Sequence, residues 1–271
     1  MTIDLPKSAS VTLQIMTDAA VLAGEGLLQA SQNRENLRIV EKTAGDFVTA
    51  ADMDAEKTIA AHLLGKFPDY GWVGEETEPA SKNGDGLRWI VDPLDGTTNF
   101  LKGLPHWAVS IALFSGDDPL SAVVYDPIKS EMFCAEKGKG AFLNGHPIQV
   151  SQDVLSGAAL LASGVPAGGR STYLGHCLDD LQALMPQTAG LRRWGAASLD
   201  LAYVAAGRFD AYWERNLGVW DIAAGMLLVT EAGGQFTPLW SDQDVFSSGS
   251  FIASNGALHQ LLSNELNATT I

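Results

Sequence analysis

Trp89-Ile90-Val91-Asp92-Pro93-Leu94-Asp95-Gly96-Thr97-Thr98-Asn99-Phe100 decides how this chain is read. An apolar strand ends there in two aspartates that straddle Pro93-Leu94, followed by a glycine and two hydroxyls. Pro93 is expected to end strand pairing, and the turn it begins can aim Asp92, Asp95 and the Leu94 carbonyl into one small volume. Oxygen-only donors of this kind suit magnesium. Gly96-Thr97-Thr98 reads as the opening of a helix whose free N–H groups can take phosphate oxygens, Gly96 permitting close backbone approach. Taken alone, an Asp-Pro-x-Asp-Gly string is at least as often an ordinary turn, but the full stretch is far more specific.

Two further acidic stations accompany it. Trp72-Val73-Gly74-Glu75-Glu76 closes another short strand, and Trp220-Asp221 opens a late helix. An exposed acidic pair is usually solvated surface and an Asp at a helix start is usually a cap, so neither speaks alone. Together with Asp92 and Asp95 they form a set of carboxylates at element ends.

The bulk properties agree. The 271 residues are 46% hydrophobic and 18% charged, enough to bury a sizeable core. Thirty-two acidic residues against 17 basic ones give a formal net charge of −15, and no block of Lys and Arg argues for nucleic-acid binding. An acidic protein that handles an anionic substrate needs a positive bridge, and a divalent cation is the usual one. Cys134 and Cys177 suggest neither a disulfide framework nor a CxxC site. The five histidines lack zinc-site spacing; His106 lies near the candidate site, with packing as its leading expectation. Trp72, Trp89, Trp107 and Trp220 read as core packing beside that site. No secretory signal and no apolar run of roughly 18 residues is expected, so the chain reads as soluble and cytoplasmic with no membrane association.

Along the chain, apolar residues recur at helical spacing from Thr12 to about Gln32, and a second helix should follow Thr49, an N-cap with Asp52 three residues on, and stop near Gly65 and Pro68. Gly71 to Val73, Leu87 to Val91, Ala108 to Phe114, Leu120 to Tyr125 and Glu131 to Glu136 read as strands, with a polar loop from Thr77 to Gly86 and turn chemistry at Gly116-Asp117-Asp118-Pro119 and Asn144-Gly145. After Val150, strands at Ala158 to Ser163, Phe209 to Glu214 and Phe251 to Ala253 alternate with helices at Thr172 to Leu184, Ser198 to Ala206 and Trp220 to Ala232, before a terminal helix. The expected fold class is α+β: residues 1–150 form a half with a largely antiparallel sheet, residues 151–271 a more α/β half, and the site lies between them.

The combination resembles the inositol monophosphatase family over nearly the whole chain. The resemblance also rests on Gly45-Asp46-Phe47-Val48-Thr49-Ala50-Ala51-Asp52, on Arg192-Arg193-Trp194-Gly195-Ala196-Ala197, and on Glu214 seven residues before Asp221. It implies a layered α/β/α/β/α sandwich and a magnesium-dependent phosphoric monoester hydrolase, with two or three Mg2+ ions, sensitivity to lithium and a homodimer. By the same resemblance Glu75, Asp92 and the Leu94 carbonyl are ligands of the first ion, and Asp92, Asp95 and Asp221 of the second. Asp52 and Thr97 orient the attacking water with Glu75 nearby, and Gly96 with Thr97 holds the phosphate. Ala197, Glu214, Asp95 and Asp221 contact the substrate, a small phosphorylated polyol such as myo-inositol 1-phosphate.

In two-metal sites the cations clamp the attacking and leaving oxygens of an in-line displacement, so no covalent phosphoenzyme is needed. Consistent with that, the sequence holds no Walker A string, no G-x-S-x-G elbow and no cysteine in a reactive context. Enzymes of the same fold act on fructose 1,6-bisphosphate, histidinol phosphate or phosphorylated nucleotides. The nucleotide and histidinol groups commonly carry a lysine where Thr98 stands, and Glu214 suits polyol hydroxyls. Fructose 1,6-bisphosphate is the second substrate expected. A regulatory protein that keeps the fold to bind a macromolecular partner is the alternative from another class, disfavoured by the complete set of expected ligands.

Overall fold

Helix α1 (Val11–Ser31) starts where the Ser10 hydroxyl accepts the Leu13 N–H at 3.1 Å, and its apolar stripe Leu13, Met16, Ala20, Ala23 and Leu27 is buried. The computed structural model describes residues 4–34, 39–43, 46–77, 86–153, 157–165 and 173–268. Among the described residues α1 is the one helix long and apolar enough, by length and composition, to cross a membrane, with a mean hydropathy of 1.3. That corrects the expectation that no such run exists. Its leucines, valines and isoleucine raise the index, while the buried stripe packs on the helix and sheet described next.

A hairpin of β1 (Ile39–Thr43) and β2 (Asp46–Thr49) leads into helix α2 (Ala50–Lys66). Thr49 and Asp52 form a reciprocal capping box, as their spacing predicts. Strands β3 (Gly71–Gly74) and β4 (Leu87–Asp95) pair in parallel. Most of the expected polar loop between them lies outside the described residues. After the short helix α3 (Thr97–Lys102) come β5 (Ala108–Ser115), β6 (Asp118–Asp126), β7 (Glu131–Glu136), β8 (Ala141–Leu143) and β9 (His146–Ile148), each antiparallel to its predecessor. With β3 and β4 they build a seven-stranded sheet in chain order. Asn144 and Gly145, at φ 48° and 75°, make the tight turn between β8 and β9.

The second half comprises β10 (Leu160–Ser163), α4 (Leu174–Leu184), β11 (Gly190–Arg192), α5 (Ala197–Ala205), β12 (Ala211–Glu214), α6 (Val219–Glu231), β13 (Gln235–Pro238), α7 (Val245–Ser248), β14 (Phe251–Ser254) and α8 (His259–Ala268). Its five strands lie in the order β11-β10-β12-β14-β13, parallel around β10 and antiparallel around β14.

Three apolar clusters set the layers. One joins α1 and α2 to a face of the larger sheet, a second joins that sheet's other face to α5, α6 and the smaller sheet, and a third joins the smaller sheet's far face to α4 and α8. The order is α/β/α/β/α, as the fold class anticipates. Helices α5 and α6 approach closely at Gly225, where a Cβ would sit 2.3 Å from Leu201 Cδ1. The middle layer therefore carries the start of α6 to the end of β4, which is what places the site.

Candidate metal and phosphate site

Strand β4 does not stop at Pro93. Pairing with β5 holds to Asp92↔Ser110, skips, and resumes at Asp95↔Ala108. Proline, lacking an N–H, sits in this irregularity and turns both aspartates toward the strand's carboxyl end. The expectation that Pro93 ends pairing is thus corrected to an interruption. Asp92 Oδ1 also accepts the Leu94 N–H at 2.9 Å, which holds the turn. Asp221, in the first turn of α6, accepts the Gly218 N–H at 2.7 Å. One carboxylate oxygen from each of Asp92, Asp95 and Asp221 lies within 4.8 Å of the others. Glu75 joins them from the end of β3: its N–H donates to the Val91 carbonyl at 3.1 Å, and its carboxyl is hydrogen-bonded to Asp92.

The electrostatics are those of a site made for a cation. Burial, then Glu75, Asp95 and Asp221, push the Asp92 carboxyl well above the usual carboxylate range. Burial, then Asp95 and Glu75, do the same to Asp221. Asp95 is raised by burial too, but the Ser198 hydroxyl and N–H, His106 and the Ala197 N–H oppose it. Clustered carboxylates withdrawn from water repel one another unless protons or a cation intervene. An all-oxygen donor set fits a hard divalent ion such as magnesium.

Beside this cluster, Thr97 Oγ1 lies 3.0 Å from Asp52 Oδ1 and 3.1 Å from the Leu94 carbonyl. Asp52 is 0% exposed, and its other oxygen accepts the Thr49 N–H at 3.0 Å and the Thr49 hydroxyl at 2.5 Å. Burial raises its pKa against these hydrogen bonds. Gly96 has φ 90°, which favours glycine, and a Cβ there would make tight 3.1 Å contacts with the Ala196 Cβ and the His106 carbonyl.

Glu214, at the end of β12, accepts the Tyr212 hydroxyl and packs against the backbone of Gly164. Burial pushes its carboxyl up to about 7, with the tyrosine opposing. It is felt electrostatically by Asp221 and itself feels Asp95. Ala197 opens α5 and gives its N–H to Asp95 Oδ1 at 3.2 Å. Asp92, Asp95 and Asp221 thus lie together, Glu75 and Ala197 touch that cluster, and the Asp52–Thr97 pair lies beside it at the Leu94 carbonyl.

Some neighbours escape sequence reading. Ser198 Oγ and N sit 2.5 and 2.7 Å from Asp95 Oδ2, a contact spanning 103 residues with no local signal beyond a serine in a helix's first turn. Asn99 Nδ2 donates to the carbonyls of His106 at 2.8 Å and Trp194 at 2.7 Å. His106 behaves as a packed residue: it is stacked edge-on to Trp194 and Tyr203, its Nε2 is 3.2 Å from Asp200 Oδ1, and burial, with Lys129, draws its imidazole down to about 4. Trp72, Trp89 and Trp107 are buried as expected, whereas Trp220 is half-buried.

Comparison with known proteins follows the same lines. The family model described as "Inositol monophosphatase family" matches residues 9–270. The chain is 44% identical to the inositol-1-monophosphatase of Rhizobium meliloti (strain 1021) over 91% of this chain and 92% of that one. It is also 44% identical to the Nus factor SuhB of Pseudomonas aeruginosa over 90% and 91%. The crystal structure of extragenic suppressor protein suhB from Bartonella henselae superposes with a TM-score of 0.91 at 42% identity, over 95% of this chain and 98% of that one. An IMPase/NADP phosphatase complexed with Mg2+ and phosphate superposes at 0.81 and 27% identity, over 96% and 97%. A phosphoric monoester hydrolase by fold, site and kinship, the chain belongs to the inositol monophosphatase family.

Proposed function

We propose that this chain hydrolyses the phosphate monoester of a small polyol, myo-inositol 1-phosphate first, using magnesium held by Glu75, Asp92, the Leu94 carbonyl, Asp95 and Asp221. The observation that carries the reading is the convergence of Asp92, Asp95 and Asp221 within 4.8 Å, from a strand and a helix of different layers. Two or three magnesium ions held by these residues would supply charge stabilisation at the phosphoryl oxygens and would ease deprotonation of the attacking water. Asp52 takes the Thr97 proton in a hydrogen bond, which leaves Thr97 Oγ1 lone pairs to accept a hydrogen from the attacking water. The N–H groups of Gly96 and Thr97 are the phosphate donors in this reading. Glu214, once ionised, accepts hydrogen bonds from polyol hydroxyls beside Ala197. A homodimer, lithium sensitivity and a cytoplasmic location belong to the same proposal.

The test is phosphate release from myo-inositol 1-phosphate with and without magnesium, beside fructose 1,6-bisphosphate, histidinol phosphate and phosphorylated nucleotides. Asp95→Asn and Asp221→Asn should each nearly abolish turnover while far-ultraviolet circular dichroism stays unchanged. Near-normal turnover in both variants, or release independent of magnesium, refutes it; preference for fructose 1,6-bisphosphate moves the substrate to the runner-up.

The kinship to a Nus factor favours a second reading, in which the same fold also binds a macromolecular partner. Capture of transcription components from lysate by the Asp95→Asn variant would support that role independently of catalysis.

A further inference from the structure

Glu56 is a buried acid, 2% exposed, on the α2 face that also carries Asp52, one turn earlier. The proposed chemistry does not use it. Its carboxylate is nonetheless fully engaged by the segment that follows β3. Oε2 accepts the Glu76 N–H at 2.9 Å, and Oε1 accepts the Thr77 hydroxyl. Thr77 Oγ1 in turn accepts the Trp72 indole N–H at 3.2 Å. The β3 backbone lies so close that a Cβ on Gly74 would stand 2.4 Å from Glu56 Oε1. Residues 76 and 77 are thus hydrogen-bonded to one carboxylate that also lies against Gly74, and Glu75 stands between these contacts.

We infer that Glu56 is a positioning residue that fixes the Glu75 carboxylate toward the aspartate cluster, so that α2 braces the site at two points: Asp52 against Thr97, and Glu56 against the Glu75 segment. The inference rests on the magnesium reading given above. A loop residue that must meet three carboxylates from other elements is held only as well as its backbone is, and loss of an outer partner of a metal ligand typically weakens the site about 10- to 100-fold. Removing a negative charge near a cation site also weakens binding, so the tether must be separated from the charge.

The experiment is calorimetric titration of the full chain with Mg2+, alongside melting without metal and KM for the phosphate ester at saturating magnesium. Glu56→Ala should weaken Mg2+ binding about ten-fold or more, whereas Glu56→Gln, which loses the charge but keeps an acceptor for the Glu76 N–H, should return affinity to within about three-fold of the parent. KM at saturating magnesium should not change. Thr77→Val, which removes one tether and no charge, should weaken binding in the same direction and serves if Glu56→Ala does not fold. Parent-like affinity in Glu56→Ala or Thr77→Val, or equal weakening in Glu56→Ala and Glu56→Gln, overturns the inference. Asp95→Asn is the reference: if it leaves Mg2+ binding intact, the magnesium reading fails and this inference with it. If it abolishes binding while the Glu56 and Thr77 variants bind as the parent does, the tether alone is wrong.

Discussion

Thr97 Oγ1 reaches Asp52 Oδ1 at 3.0 Å, joining the first turn of α2 to the first residue of α3 across 45 positions of sequence. Thr49 holds the second oxygen of Asp52 through its N–H and its hydroxyl, which leaves Oδ1 facing Thr97. Thr97→Val, which deletes the hydroxyl at nearly constant volume, should lower kcat by about 10²- to 10⁴-fold with KM little altered, the range of a lost proton-handling group. Thr97→Ser should recover most of the rate. Steady-state kinetics on both variants decides the point, and a Val variant as fast as the parent removes the pair from the chemistry.

Asp92 and Asp221 are each raised well above the carboxylate range by burial and by one another's neighbours. Neutralising either should therefore stabilise the metal-free protein while it disables the site, as happens where function requires unfavourable charge. Asp221→Asn should melt roughly 2–4 °C higher than the parent in chelator at neutral pH, on the scale of about 1 kcal/mol for a chain of this size. The order should reverse in excess magnesium, which binds and stabilises only the parent. Differential scanning calorimetry under both conditions is sufficient, and a lower melting temperature in chelator contradicts the electrostatic account.

Gly164 touches Glu214 so closely that a Cβ there would fall 1.8 Å from the Glu214 carboxyl carbon. Gly164→Ala must displace that carboxylate. We expect KM for myo-inositol 1-phosphate to rise about ten-fold, equivalent to one lost hydrogen bond to a charged group, with Mg2+ affinity within about two-fold of the parent. Unchanged KM would mean that Glu214 makes no contact with the substrate.

Glu214 also predicts a pH signature. Its folded pKa of about 7 lies above the ordinary 4.5, so its share of stability is complete below about pH 4.5 and is lost as pH rises through 7. His106, drawn down to about 4, acts with the opposite sign between about 6.5 and 4, and comparison with Glu214→Gln cancels it. In the absence of metal, the stability of the parent relative to Glu214→Gln should fall steadily from pH 4.5 to 7.5 in urea titrations. A flat difference would place the Glu214 pKa near its ordinary value.

What the sequence discloses divides along local and distant lines. The strand, paired aspartates and glycine of residues 89–100 are contiguous, so their direction and chemistry are readable; so are the Thr49/Asp52 box and the Asn144-Gly145 turn, each set by spacing alone. Short strands such as Gly190–Arg192 and Gln235–Pro238 have too few residues for a period to show, and exist because a neighbouring strand pairs with them. The resumption of β4 at Asp95 was hidden because proline is read as a stop, whereas a skip in register accommodates it. Glu75 and Asp221 can be noted as acids at element ends, but no periodicity relates them to Asp92 and Asp95, and their assignment as ligands of shared ions comes only through family resemblance. Ser198 and Glu56 lie beyond even that: a serine and a glutamate in helices announce nothing until the chain has closed around their partners.

Helix α6 buries Ile222, Ala223, Ala224, Gly225, Leu227, Leu228 and Val229 between two sheets, leaving hardly a wet side. A helix enclosed in this way cannot detach by fraying or by the swing of one surface element; it is released only when the chain opens as a whole. Its amides should be the last to exchange with deuterated water, and a fragment lacking either sheet would expose a greasy rod that invites aggregation. Asp221 stands in the first turn of this helix, so one of the three clustered carboxylates is mounted on an element buried between two sheets.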